Sequence, residues 1–333
     1  MASLSPLPLN AAQWWRGFSL VLGATLALSL QNVIARIAQS PKVLPVLGGL
    51  FHLGGYIAPD ANKLQVSLLV LLLRVTFVVP ILWMLLPAVK RDAWTEARQL
   101  ATGRDRPLQL RIVAAGLLLF LSQTSIYLAI ANVGPATAVT LFFIYPTITT
   151  LLAWRLFGDR PSWHQWVAIG LIYAGCIWLT FSAPNAAFKT DFIGIIEAMF
   201  SGVVFAIEGI IAQSCFRKVN PATFTGLIFS VEWMALIAVA IVSGTMQFNL
   251  GLLWMGALLS LATLSGYLLN NFGIQYIGAA SVAIVGSSGN AVTAVLAGLI
   301  LGDVLKLQQW FSILLVSSGV VLMNWAKTAK YRA

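Results

Sequence analysis

An all-α membrane protein with ten transmembrane helices in two inverted five-helix repeats is the fold class this sequence predicts, and three observations predict it. First, residues 130–182 align without a gap on residues 274–326 at an offset of 144, with 13 of 53 positions identical. The turn residues register along with the apolar ones: Gly134 falls on Gly278, Gly158-Asp159 on Gly302-Asp303, Gln165-Trp166 on Gln309-Trp310, and Gly175 on Gly319. Shared hydrophobicity alone would not align this punctuation. Duplicated halves in a long apolar chain are expected of a membrane transporter whose substrate site lies where the repeats meet, near the bilayer midplane. Second, apolar residues make up 59% of the 333 and charged ones 9%, against roughly 45–50% and about 25% in soluble domains, so the solvent is lipid. Third, runs of about 20 apolar residues, the length a helix needs to cross a hydrocarbon core of about 30 Å at about 1.5 Å per residue, recur along the whole chain.

The runs lie near 17–37, 66–86, 110–132, 136–157, 164–182, 192–213, 222–243, 252–275, 279–301 and 307–326. The joins at 133–135 and 276–278 are so short that spans three and four, and spans eight and nine, must form tight helical hairpins, and the repeat makes these hairpins equivalents. A division into 1–183 and 184–333 places five spans in each half. Five is odd, so the second half enters from the opposite side and the repeats are inverted. With the N-terminus inside, fourteen of the twenty lysines and arginines fall in cytoplasmic segments, four lie outside (Lys42, Lys63, Lys189 and Lys306), and Arg36 and Arg74 sit within spans. The positive-inside rule then places both termini in the cytoplasm of a multi-pass protein of the plasma (inner) membrane. The first run ends in Gln31, Asn32 and Arg36 without a small-residue cleavage pattern, which reads as a retained helix rather than a signal peptide.

The net charge of +10 has this membrane explanation. Its basic residues are dispersed over membrane-proximal loops, whereas nucleic-acid binding needs a basic face on a soluble domain. Cys176 and Cys215 read as small apolar fillers rather than a disulfide or metal pair. The two histidines, His52 and His164, fall on opposite sides of the membrane, so no His-centred triad or clustered zinc site is expected. No Walker A pattern occurs, which argues against ATP hydrolysis by this chain. No cofactor is implied, and the sequence is silent on oligomeric state. An intramembrane enzyme ranks behind a transporter and behind a receptor or assembly scaffold built on a carrier fold.

Several stretches together resemble a known family. Pro146 within "YPTITTLLAWRLFGDRPSWHQWVAIGLIYAG", the arginine in "LLLRVTF" of the second span, and "LILGDVLKLQQWFSILLVSSGVVL" near the end are similar to the drug/metabolite transporter superfamily, specifically its EamA-type members. The resemblance covers nearly the whole chain. It implies a ten-helix inverted-repeat fold that moves small metabolites, often amino acids or related compounds and frequently outward. Three features depart from the family pattern: residues 38–65 form a long link, Asn290 stands where the second half would carry a proline, and Asp159 and Asp303 stand where Glu is commoner.

Polar residues within spans carry the functional expectations, because a central charge costs about 2.5–3.5 kcal/mol on the insertion scale and so avoids lipid. In the first span Thr25, Ser29, Asn32 and Arg36 share a face; in its repeat equivalent, the sixth, Glu197, Ser201, Val204 and Glu208 do. Gln123 and Tyr127 of the third span map by the 144 offset onto Tyr267 and Asn271 of the eighth, which a pseudo-two-fold axis would gather around one cavity. Interhelical glue is the alternative role for these four. In the fourth span Phe142, Phe143 and Tyr145 offer an apolar wall and Pro146 a kink; in the ninth, Ser287, Ser288 and Asn290 offer hydrogen bonds, while Gly286 and Gly289 allow close packing or local unwinding. Candidate substrate-binding residues are therefore Asn32, Gln123, Tyr127, Tyr145, Glu208, Tyr267, Asn271, Ser287 and Asn290, with Gly134, Pro135, Pro146 and Gly278 as hinges or gates.

Arg74 and Glu232 are the deepest charges and occupy repeat-equivalent spans; they either pair across the bundle or bond separately. A buried carboxyl at Glu208 or Glu232 makes proton coupling chemically open. The mechanism expected is alternating access, with the two helical hairpins rocking about Gly134-Pro135 and Gly278. Aromatic surface with few buried cations favours neutral or zwitterionic small-molecule substrates over multiply charged phosphates.

Overall fold

The computed structural model of the protein describes residues 11–332 apart from 39, 41, 57–62, 104, 134–137, 139–140, 159, 182–191, 244–249 and 303–306. Gly134 and Pro135, and the departures at Asp159 and Asp303, therefore lie outside the described residues. The elements are α1 (Ala11–Ala38), a hairpin of β1 (Val43–Val46) and β2 (Phe51–Gly54), α2 (Lys63–Val89), α3 (Ala93–Thr102), α4 (Arg106–Val133), α5 (Tyr145–Phe157), α6 (Trp163–Phe181), α7 (Phe192–Cys215), α8 (Pro221–Ser243), α9 (Leu250–Ile277), α10 (Ala279–Gly286), α11 (Gly289–Leu301) and α12 (Leu307–Arg332). Among the described residues seven segments are long and apolar enough to cross a membrane: those of α1, α2, α4, α7, α8 and α9, and the run Ala279–Leu301 formed by α10 and α11. The expected fourth, fifth and tenth spans correspond to α5, α6 and α12, with the start of the fourth falling on residues outside the description.

The repeat is visible in the packing. α1 lies along α9 and α4 along α7, two pairs that the duplication interchanges, while α6 lies along α12, a pair it maps onto itself. In lipid the driving force for helix association is close contact rather than burial from water, so small residues mark the interfaces. A Cβ at Gly175 would stand 2.7 Å from Val316 and 2.8 Å from the Ser312 carbonyl; one at Gly319 would stand 2.7 Å from Ile172 and 2.9 Å from the Ala168 carbonyl. These are the same contacts read from either half. Gly266 and Gly273 on α9 likewise admit Leu28 and Val21 of α1.

α2 and α8 are stitched at three levels. Trp83 Nε1 donates to Ser230 Oγ at 3.0 Å, Trp233 Nε1 donates to Thr76 Oγ1 at 3.1 Å, and next to the second of these Arg74 and Glu232 approach to 3.7 Å with 1% and 0% exposure. Of the two roles open to these charges, the structure takes the cross-bundle pair. It is an ion pair without a hydrogen bond: the guanidinium nitrogens and both carboxylate oxygens have no hydrogen-bond partner among the described residues.

Two features lie in the links. Within the 38–65 link, β1 and β2 form the two-stranded hairpin, registered Val43 with Gly54 and Val46 with Phe51, and turned through Leu47, Gly48 and Gly49, all with positive φ. The Leu47 N–H bonds to the Ile300 carbonyl at the end of α11 at 2.7 Å. Between α2 and α4, α3 is amphipathic: Ala93 and Ala97 are buried, while Trp94, Thr95, Arg98 and Gln99 are exposed. Glu96 of α3 pairs with Lys90 at 2.7 Å and accepts from Thr223 Oγ1 at 2.5 Å and the Asn220 N–H at 3.1 Å, tying this link to the start of α8. Partial burial pushes the Glu96 carboxyl up, but the hydrogen bonds from Lys90, Thr223 and Asn220 outweigh it and hold the group below the usual carboxylate range.

Candidate functional site

Two helix interruptions shape the centre of the molecule. Turn residues Phe143-Ile144 precede α5, and Ser287-Ser288 separate α10 from α11. The pairs are 144 residues apart, as are the helices that follow: Tyr145 to Gly289 at the start and Phe157 to Leu301 at the end. Even the hydrogen bonds correspond, Ile144 N to Leu141 O at 3.3 Å and Ser288 N to Val285 O at 3.1 Å. The sequence expectation of a kink at Pro146 is corrected in position. Pro146 occupies the first turn of α5, where a missing N–H is harmless, and the break falls just ahead of it. In the second half the break needs no proline. Ser287 Oγ donates to the Ile284 carbonyl at 2.6 Å and Ser288 Oγ to the Val285 carbonyl at 2.7 Å, and such back-bonding competes with the helical ladder.

Between these breaks lies a cavity of about 830 Å³ lined by α1, α4, α7, α9, α10, α11 and residues 142–149. Both halves contribute. Where the halves meet, Gln123 Nε2 donates to the Tyr267 hydroxyl at 2.6 Å, a bond between repeat-equivalent positions. On one wall Phe142, Tyr145 and Phe205 form an aromatic cluster with centroids 5.1–5.5 Å apart, and the Tyr145 hydroxyl donates to the Ala283 carbonyl at 3.1 Å. Elsewhere in the lining, Ser29 Oγ donates to the Gly289 carbonyl at 2.9 Å, and Asn32 Nδ2 reaches Thr293 Oγ1 at 3.4 Å. Ser40 and Leu44 of the hairpin link also line the cavity, beside Arg36.

Of the nine candidate binding residues, Asn32, Gln123, Tyr127, Tyr145, Glu208, Tyr267 and Asn290 line this cavity. Asn271 and Ser287 lie outside its lining. Asn271 is 2% exposed and donates to Thr225 Oγ1 of α8 at 2.9 Å, the glue role; Ser287 turns its hydroxyl back onto its own helix. Asn270, next to Asn271, faces the cavity instead. From Tyr267, positions i+3 and i+4 both lie near the same face, so spacing alone could not choose between them. Thr25 and Ser29, which the sequence placed on the face of Asn32, also line the cavity, whereas Thr293 and Asn270 carried no such signal. Gly278 forms the join of α9 and α10 with φ +80, a conformation open to glycine, and Gln213 Oε1 accepts from the adjoining Ala279 N–H at 2.6 Å. Glu197, on the same face of α7 as Glu208, accepts from Asn132 Nδ2 at 2.9 Å away from the cavity lining.

Apolar helices duplicated head to tail around one deep cavity of mixed polarity define a membrane transporter. Comparison with known proteins gives the family: the model of the EamA-like transporter family matches residues 46–181 and again 192–325, once in each half. The chain belongs to that family, within the drug/metabolite transporter superfamily. A Synechocystis sp. protein named "Uncharacterized transporter sll1319" is 35% identical over 316 residues, covering 94% of each chain. A solved crystal structure shares the fold with a TM-score of 0.67 at 12% identity, covering 95% of this chain and 98% of that one.

Proposed function

We propose that the protein is a secondary carrier that exports, or facilitates the passage of, amino acids or related neutral and zwitterionic metabolites across the plasma (inner) membrane. The observation that carries this reading is the cavity between two equivalently interrupted helices, one from each half, whose lining combines an aromatic cluster with hydrogen-bonding groups. Interrupted helices beside a midplane cavity leave backbone groups free to meet a substrate. Alternating access then follows from rocking of the two helical hairpins, spans three and four in the half 1–183 and spans eight and nine in the half 184–333, about Gly134-Pro135 and Gly278. Ten spans with both termini cytoplasmic put the Arg36 end of the cavity outward.

Purified protein in proteoliposomes should move a metabolite picked out by comparing the efflux of cells with and without the gene. Absence of flux for every compound so identified would leave a receptor or scaffold. Imposing a pH gradient on the same vesicles distinguishes proton-coupled accumulation from facilitated diffusion. For orientation, a cysteine replacing Thr95 should be shielded from an impermeant thiol reagent in intact cells while one replacing Asn62 reacts; the reverse pattern overturns the topology.

A further inference from the structure

Among the described residues lining the cavity, Glu208 is the one acidic side chain. It is 5% exposed and, unlike the other carboxylates of the described spans, it has no partner among the described residues. Asn132 donates to Glu197 and Arg74 faces Glu232, but no hydrogen bond or ion pair reaches Glu208 from any described residue. The ionisable groups around it do not supply a counter-charge: Glu232 carries the same sign and is already matched by Arg74, and Tyr267 and Cys215 are neutral. A carboxylate held out of water without a partner is strongly disfavoured: it either takes a proton or meets its complement in what enters the cavity.

The surroundings specify that complement. Phe205 lies three residues before Glu208 on α7, so both project from one face of the helix and both line the cavity. The Phe205 ring packs edge-on to Tyr145 at 5.2 Å and lies 5.5 Å from Phe142. A carboxylate beside aromatic faces suits an organic ammonium group, which gains an ion pair from the first and cation–π attraction from the second. Arg36, the cation among the lining residues, stands at the last turn of α1 beside Ser40 and Leu44 of the link.

We infer that Glu208, with Phe205, is an ammonium-binding subsite, and that the cargo is recognised through an amine it carries, its carboxylate being dispensable. This rests on the carrier reading above, and the two are separable by experiment. The probes are leucine, isopentylamine, which keeps the amine and lacks the carboxylate, and 4-methylpentanoate, which keeps the carboxylate and lacks the amine. Binding is measured by calorimetry on purified, monodisperse protein, and flux on the same preparation in proteoliposomes.

Leucine and isopentylamine should bind and 4-methylpentanoate should not. Glu208→Gln should weaken both amines at least about tenfold, as expected for loss of a charged hydrogen-bond partner, and Glu208→Asp should recover part of the loss. If Glu208→Gln does not fold, Phe205→Leu carries the test, with amine affinity falling about threefold. Failure of both amines to bind, equal binding of 4-methylpentanoate, or unchanged amine affinity in a folded Glu208→Gln protein overturns the subsite and makes Glu208 a protonated structural acid. Amine binding without flux sustains the subsite and defeats the carrier reading; flux of compounds lacking an amine, indifferent to Glu208→Gln, does the reverse.

Discussion

The fourth and ninth spans break at the same repeat position with different chemistry. In the first half the turn is Phe143-Ile144 with Pro146 following; in the second it is Ser287-Ser288 with Asn290 in the proline's place. Backbone geometry survived the duplication down to the left-handed glycines that end each helix, Gly158 at φ +75 and Gly302 at φ +71, each N–H closing on a carbonyl four residues back at 3.1 Å. Side chains did not survive it. One half starts the helix after its break with a proline in the first turn, and the other turns serine hydroxyls onto its own carbonyls. The first solution leaves aromatic bulk facing the cavity, whereas the second leaves small and polar groups. A shared architecture thus presents two unlike walls to one substrate.

The sharpest test of the shared architecture is the α6–α12 contact. Gly175→Leu and Gly319→Leu each force a side chain against a facing backbone carbonyl, and each should cost about 2–3 kcal/mol, the upper range for overpacking. Thermal unfolding in detergent should show losses within about 0.5 kcal/mol of each other; a large disparity would mean that the halves do not pack as equivalents.

The differing breaks come next. Pro146→Ala restores a donor for the Phe142 carbonyl and should slow transport about tenfold without lowering thermal stability, a change of about 1.4 kcal/mol in the barrier. The Ser287→Ala, Ser288→Ala double variant, which removes only the competing hydroxyls, should slow it about threefold. Equal effects, measured as initial flux at matched protein density, would show that proline and serine are interchangeable devices here.

A smaller effect attaches to the bond between the halves. A double-mutant cycle of Gln123→Leu and Tyr267→Phe should return a coupling of about 1 kcal/mol in stability, the worth of one buried neutral hydrogen bond. Additive losses would mean that the two side chains act separately.

The smallest concerns a feature of one half alone. α3 has no equivalent among the described residues of the second half, where six residues, 244–249, separate α8 from α9. The Glu96 carboxyl is held below its ordinary value of 4.5 in the folded state, so its stabilising contribution is complete above that pH and is lost as pH falls through the folded value. Wild type should exceed Glu96→Gln by less than about 1 kcal/mol at pH 7, because the pair is partly exposed. The gap in thermal stability should close in acid; a gap that persists there would deny the carboxylate its role.

The long apolar runs and the 144 offset were legible because periodicity and self-alignment survive in sequence; the offset related Gln123 to Tyr267 but did not give the hydrogen bond between them. The place of the cavity, at the junction of the repeats, was legible too. What escaped is of two kinds. Links carry little periodic signal, so the hairpin at 43–54 read as an unusual length and α3 as a cluster of basic residues. Helix phase resolves a face but not a neighbour: Asn270 and Asn271 are 100° apart, and only the position of α8, which takes Asn271 through Thr225, decides which of them meets the cavity. Arg74 and Glu232 were visible as deep charges, but their 3.7 Å approach depends on how α2 and α8 cross.

The contact of Gln123 with Tyr267 bears on how a chain like this diverges after its gene doubles. A single hydrogen bond has a direction, from donor to acceptor, and a two-fold axis has none. In a dimer of identical halves, whatever side chain stood at this position would meet its own image, and the two senses of the bond would be equally populated. Fusion into one chain lifts that constraint. An amide on one side and a phenol on the other, 2.6 Å apart, give the centre of the molecule a fixed polarity that a symmetric ancestor of the same shape could not have held.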